Sequence, residues 1–140
     1  MNRILAVDYG EKRIGLALSD PMQIISKPFK TLLFKSKLNM VENLLEIIHE
    51  QNVGLVVLGL PLGAEGQETK KTLETRKMGE FLQEQLPVPV ILWDERFSTV
   101  EANRELKKMG YDYIKAREFV DAVAASMILR SYLENKDNIQ

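Results

Sequence analysis

The 140-residue sequence contains no cysteine. That excludes disulfides, thiolate zinc sites and cysteine nucleophiles together. Its single histidine, His49, excludes multi-histidine metal sites and argues against histidine-driven hydrolysis. His49 falls near the end of a helical pattern, where a polar or cationic side chain suits the helix dipole. Any metal must therefore be held by oxygen ligands, which favours Mg²⁺ or Mn²⁺. No apolar run approaches the roughly 18 residues that a membrane span needs. The N-terminus begins on a strand-like segment with no signal-peptide anatomy, so the expected location is cytoplasmic, away from membranes. With five Phe, four Tyr and one Trp, aromatics are too few for a broad base-stacking platform.

Excess charge is also missing, since the net value is −1. Its distribution is uneven: residues 1–40 carry seven Lys/Arg against Asp8, Glu11 and Asp20. A basic N-terminal third suits phosphate contacts, and a solvated strand edge explains it equally well. What is present is ordinary for a globular chain, with 45% hydrophobic and 28% charged residues. The length fits one domain over 1–140 and suffices to bury a core.

The pattern along the chain predicts a β-β-β-α-β-α-β-α order. "RILAVD", "IGLALS" and "KPFKTLLF" read as strands joined by short turns, the third near an edge because Pro28 lies at its start. "SKLNMVENLLEIIHEQN" places Leu38, Val41, Leu45 and Ile48 on one helical face. "VGLVVLG" is a buried strand, and the helix before it implies a right-handed crossover to a parallel position. "TKKTLETRKMGEFLQEQL" is a second amphipathic helix and "VPVILW" a fifth strand. Ser98 and Glu101, at capping-box spacing, open a helix through about Met109, and a last helix spans about Lys115 to Leu133. The expected fold is α/β, a mixed five-stranded sheet with helices on its faces and the first strand central.

Carboxylates at three places break a local rule. Asp8 ends the first strand, Asp94 and Glu95 end the fifth, and Asp121 interrupts the apolar stripe of the last helix. Helical spacing puts Asp121, Ala124, Ala125 and Ile128 on one face. A carboxylate there needs a partner, or a shifted pKa. A helix-start aspartate favoured by the dipole is the plainer reading. The first, fourth and fifth strands should be parallel, so their carboxyl ends share the edge at which such sheets bind ligands. If Asp121 joins Asp8 and the Asp94/Glu95 pair, the crowded negative charge calls for a divalent cation. Carboxylate clusters of this kind hold paired Mg²⁺ ions for phosphodiester hydrolysis.

"DYGEKRIGLALSD", "GLPLG", "DERFSTVEA" and "VDAVAASMIL" resemble, in order and spacing, the YqgF (RuvX) family of RNase H-like proteins. The resemblance implies an RNase H-like fold with sheet order 3-2-1-4-5 and helices on both faces. It also implies a metal-dependent nuclease that processes the 5′ end of the 16S ribosomal RNA precursor in ribosome biogenesis; endonucleolytic cutting is the favoured mode, and exonucleolytic cutting stays open. Older labels name a Holliday junction resolvase acting on branched DNA. The family's acidic residues fall on Asp8, Glu95 and Asp121. Asp94 is adjacent and could replace or assist Glu95; neighbouring strand-end residues point oppositely, so one of the two should face the metal ions, and the resemblance favours Glu95. Arg96 and Ser98 would be phosphate contacts, although Ser98 reads equally well as a plain N-cap. Gly10 would leave room for a nucleic-acid backbone, and Lys12 or Arg13 would touch substrate unless they are simply a solvated hairpin tip. RuvC-type resolvases place a glutamate at the end of the fourth strand, where this chain has "VVLGLPLG" with no acid before Glu65. That weakens the resolvase label more than the nuclease one.

Two readings from other classes compete. An Asp-x-Gly turn between strands also builds the phosphate hairpin of actin-like ATPases and sugar kinases, but those need two lobes around a cleft. A non-catalytic RNA-binding module is the other, and the intact acidic trio counts against it. Monomer and homodimer stay equally open.

Overall fold

The computed structural model describes residues 2–96 and 120–136. The expected helix from Ser98 to Met109, and the start expected for the last helix, lie outside the described residues. The elements are β1 (Arg3–Tyr9), β2 (Arg13–Ser19), β3 (Ser26–Leu33), α1 (Lys37–Glu50), β4 (Val53–Leu60), α2 (Lys70–Gln85), β5 (Val90–Asp94) and α3 (Val120–Asn135). The strands form one sheet in the order β3-β2-β1-β4-β5, as expected. β1 is central; it runs antiparallel to β2 and parallel to β4, and β4 runs parallel to β5.

β1 and β4 are apolar almost throughout because both of their faces are covered. Odd-numbered residues of β1 face one layer and even-numbered ones the other. Leu5 and Val7 join Leu44, Met78 and Leu82 in the larger core, under α1 and α2. Ile4 and Ala6 join Ala17, Val57, Ala125 and Ile128 in the smaller core, under α3. β3 is an edge strand, and its register against β2 shifts between Leu16 and Ala17, where Pro28 sits opposite Ala17.

The helix faces are set by burial more than by local pattern. In α1 the buried residues are Met40, Val41, Leu44, Ile47 and Ile48, while Leu38 is 67% exposed and Leu45 38%. The expected stripe of Leu38, Val41, Leu45 and Ile48 is thus corrected. Val41 and Ile48 belong to the packed face, whereas Leu38 and Leu45 lie on its flank, and Met40, Leu44 and Ile47 complete it. His49 is exposed in the last turn. α2 is capped by Thr69, whose hydroxyl accepts from the Thr72 amide while the Thr72 hydroxyl accepts from the Thr69 amide. Among the described residues, no helix is long and apolar enough to cross a membrane.

Candidate carboxylate site

The parallel strands β1, β4 and β5 end together, with Asp8 and Glu95 at that edge and Asp121 on α3 on the other side of Asp8. Asp8 lies on the even face of β1, the face toward α3, and pairs in register with Gly15 on β2. A Cβ on Gly15 would lie 1.9 Å from the Asp121 carbonyl oxygen, so the first turn of α3 rests directly on this strand. Small residues make the approach possible: Gly15, Ala6 and Ala17 on the sheet, Ala125 on the helix. The tight approach of α3 to the sheet therefore rests on small residues from both sides. It carries Asp121 to the end of the strand that holds Asp8.

Glu95 arrives from the other side. Trp93 belongs to the core under α3 and alternation directs Glu95 to the same face. The Glu95 amide donates to the Leu60 carbonyl oxygen at 3.2 Å, extending the β4–β5 pairing by one step. Its carboxylate occupies space left by Gly59 on β4: a Cβ there would lie 2.4 Å from Glu95 Oε2 and 2.6 Å from Ile128 Cδ1. Where "VVLGLPLG" offers no acid at the end of β4, the Glu95 carboxylate reaches over Gly59 from β5. Trp93 fixes this end of the sheet, donating to Ser131 Oγ at 3.1 Å and meeting Tyr132 edge-on at 5.3 Å.

Electrostatics mark the site as unbalanced. Burial pushes the Asp8 carboxyl up to about 6; Lys71 opposes the shift and the charge of Asp121 adds to it. Burial pushes Glu95 up to about 7, with the charge of Asp8 adding, Lys71 opposing and Asp94 adding further. Glu95 Oε2 is fully buried with no hydrogen-bond partner among the described residues. A buried carboxylate oxygen with no donor costs free energy that a cation would recover. Oxygen donors alone, two of them held near neutrality by burial and mutual repulsion, fit a hard divalent cation.

Asp94 stands apart from this pair. It accepts from the Arg96 amide at 2.9 Å and from the Arg96 guanidinium at 2.8 and 2.7 Å. Its carboxyl is lowered, because those Arg96 bonds outweigh the desolvation that would raise it. Asp94 is therefore satisfied where Glu95 is not. Asp121 accepts from Arg13 Nε at 2.9 Å, with side chains 23% and 45% exposed respectively. The partner that a carboxylate on this helix needed is thus Arg13. No group of three acidic or histidine side chains is close enough to hold one metal ion among the described residues. What converges is Asp8 with Glu95 on one side and Asp8 with Asp121 on the other.

The remaining expected contacts are distributed around this edge. Gly10 and Arg13 line a pocket of about 300 Å³ together with Glu11, Lys12, Lys71 and Asp121. At Gly10 a Cβ would come 2.6 Å from the Arg13 carbonyl oxygen, so the hairpin turn itself demands glycine there. Arg96 lies beside the β4–α2 loop, its Nη1 3.2 Å from where a Cβ on Gly66 would stand. Ser98 lies outside the described residues. Lys71 escaped the sequence reading; a lysine in a charged first turn carries no signal until the fold sets it opposite Asp8 and Glu95. A larger cavity of about 730 Å³ lies between the β2–β3 connection and α3, lined by Met22, Ile24 and Met127 among others. It contains none of the converging carboxylates.

The matching family model, RuvX, described as Holliday junction resolvase, covers residues 2–135. The chain belongs to the RuvX family. A relative from Fusobacterium nucleatum is 41% identical over 138 residues, covering 97% of this chain and 99% of its own. One from Koribacter versatilis is 40% identical over 134 residues, covering 96% of this chain and 88% of its own. Both carry the description "Putative pre-16S rRNA nuclease". Among solved structures, Thermus thermophilus RuvC in complex with a Holliday junction substrate aligns with TM-score 0.59 at 12% identity, over 99% of this chain and 97% of that one. Fowlpox virus resolvase with Holliday junction DNA aligns with TM-score 0.57 at 14% identity, over 99% of both chains. These likenesses establish the RNase H-like fold expected for RuvX.

Proposed function

We propose that this chain is a nuclease that hydrolyses phosphodiester bonds of nucleic acid at the Asp8–Glu95–Asp121 edge. Its natural task is endonucleolytic processing of the 5′ end of pre-16S ribosomal RNA. The observation that carries the reading is the buried, unpartnered Glu95 Oε2 beside Asp8 at the carboxyl edge of the sheet. Family membership and relatives described as pre-16S rRNA nucleases support the substrate.

Asp8 with Glu95, and Asp8 with Asp121, would hold Mg²⁺ or Mn²⁺ as two pairs, with Asp94 engaged by Arg96. Divalent ions in such a site supply an activated water and stabilise the leaving oxygen. The chain's own residues do the rest. Asp8 is positioned by its β1–β2 register and Glu95 by the space over Gly59. The apolar wall of Ile128 on the α3 side limits water around Glu95. Arg13 neutralises Asp121 and stands at the pocket where a phosphate backbone would run.

The deciding experiment compares wild type with Asp8→Asn on precursor ribosomal RNA in Mn²⁺. Cleavage should fall about 10²-fold or more, the scale of removing one preorganised charge-stabilising group. Equal cleavage by both proteins sinks the enzyme reading. The RuvX description favours branched DNA as a second substrate, so a four-way junction belongs in the same assay. Preferential cutting of the junction would reassign the substrate and keep the site.

A further inference from the structure

We propose that Lys71, in the first turn of α2, is a substrate-contacting residue of this site: its ammonium engages a phosphate of the bound strand in the pocket formed by the β1–β2 turn and Asp121. The inference rests on the nuclease reading and names a contact that the motifs did not contain.

Placement comes first. α2 starts at Lys70 with Thr69 as its N-cap, and no acidic residue occupies its first turn. Lysines there oppose the helix dipole, which favours anions at an N-terminus. Lys71 gains nothing locally from its position. It forms no ion pair among the described residues and is exposed. Its backbone is fixed, because its carbonyl accepts from Thr75 Oγ1 at 2.8 Å and the Thr69–Thr72 capping box locks the turn.

Surroundings come second. Lys71 lines the pocket of about 300 Å³ with Gly10, Lys12, Arg13 and Asp121, so cations from α2 and from the hairpin flank one cleft. Arg13 is already bonded to Asp121, while Lys71 stands near Asp8 and Glu95 without pairing to either. A lysine held near carboxylates but unpaired is available to an incoming anion. A phosphate drawn to it would lie at the end of β1, against the residues proposed to do the chemistry. Lysine suits this role as a point charge on a flexible stem.

The test measures binding of a short labelled single-stranded RNA to the full chain in EDTA, where nothing is cut, across a series of KCl concentrations. Wild type is compared with Lys71→Ala, Lys71→Arg and Lys77→Ala, an exposed lysine of the same helix. Losing one phosphate contact on a single strand should flatten the slope of log affinity against log salt by about 0.7. Lys71→Arg should keep the wild-type slope, and so should Lys77→Ala. A Lys71→Ala slope equal to that of wild type overturns the proposal, and so does wild type that binds no RNA. Mn²⁺ binding to the RNA-free protein is the second readout. Removing a neighbouring cation should tighten it, whereas weaker Mn²⁺ binding would make Lys71 an organiser of the carboxylates and overturn the substrate contact. If wild type cleaves and Lys71→Ala keeps its slope, the nuclease reading stands and this inference falls. If wild type cleaves nothing while the slope flattens, the nuclease reading falls and the Lys71 contact stands.

Discussion

Glu95 is the residue on which the site turns. Its raised carboxyl means that the folded chain binds a proton there more tightly than the unfolded chain between about pH 4.5 and about 7. Stability from this group is therefore present at low pH and lost as pH rises through about 7. Asp8 acts in the same direction, with its window closing near pH 6. In EDTA the melting temperature should fall from pH 5 to pH 8, and Glu95→Gln should remove much of that fall. At pH 8 the variant should be more stable than wild type, by at most about 3 kcal/mol, since each tenfold change in proton affinity is worth about 1.4 kcal/mol. Calorimetry across that range checks it; a Glu95→Gln protein that melts lower at pH 8 would show that Oε2 has a donor after all. Asp94→Asn should behave oppositely. Its carboxyl is lowered by Arg96, so the variant should lose a few tenths to about 1 kcal/mol at neutral pH, and the loss should shrink as the pH falls below the ordinary carboxylate range.

At the scale of elements, the contact of α3 with the sheet decides where Asp121 goes. Gly15→Ala sets a Cβ against the Asp121 carbonyl, a backbone atom that cannot rotate away. The helix must shift, at a cost of about 1–3 kcal/mol as overpacking predicts, and Asp121 moves with it. Urea unfolding should show the loss of stability, and cleavage should fall even though no acidic residue has been changed. Gly59→Ala should act on Glu95 in the same way, since the added methyl meets Oε2 and Ile128. Among the described residues, strands and helices were legible from period and turn residues, and the central β1 from its two-sided apolar run. The packed face of α1 was not, because Leu38 and Leu45 are apolar yet sit on the flank. Apolar spacing marks a stripe, while the neighbouring layer chooses its centre.

For the whole molecule, the site acts as a charge imbalance that a cation would relieve. Mn²⁺ or Mg²⁺ should raise the melting temperature at pH 8, by the equivalent of about 2.7 kcal/mol at a hundredfold excess over its dissociation constant. The gain should shrink toward pH 5, where protons compete for Asp8 and Glu95, and should vanish in Asp8→Asn. Differential scanning fluorimetry with and without the ion reads this directly, and an unchanged melting temperature in wild type argues against a metal at these carboxylates.

The sequence alone determined the order of the described elements, the parallel placement of β1, β4 and β5, and the presence of Asp8 and Glu95 at their carboxyl ends, because strand ends follow from local chemistry; the packing of α3 on Gly15 is what brings Asp121 beside Asp8. Four motifs in order were enough to point to RuvX. The tertiary structure decided which acids are free and which are satisfied. Asp94 and Glu95 are neighbours in sequence, yet Arg96 takes the first and Gly59 makes a buried space for the second. Arg13 was read either as a substrate contact or as a solvated hairpin tip, and the fold adds a bond to Asp121, 108 residues away. Lys71 gained a role only when the β4–α2 connection set it across from Asp8. Pairing between distant side chains depends on how layers pack, and no local pattern encodes it.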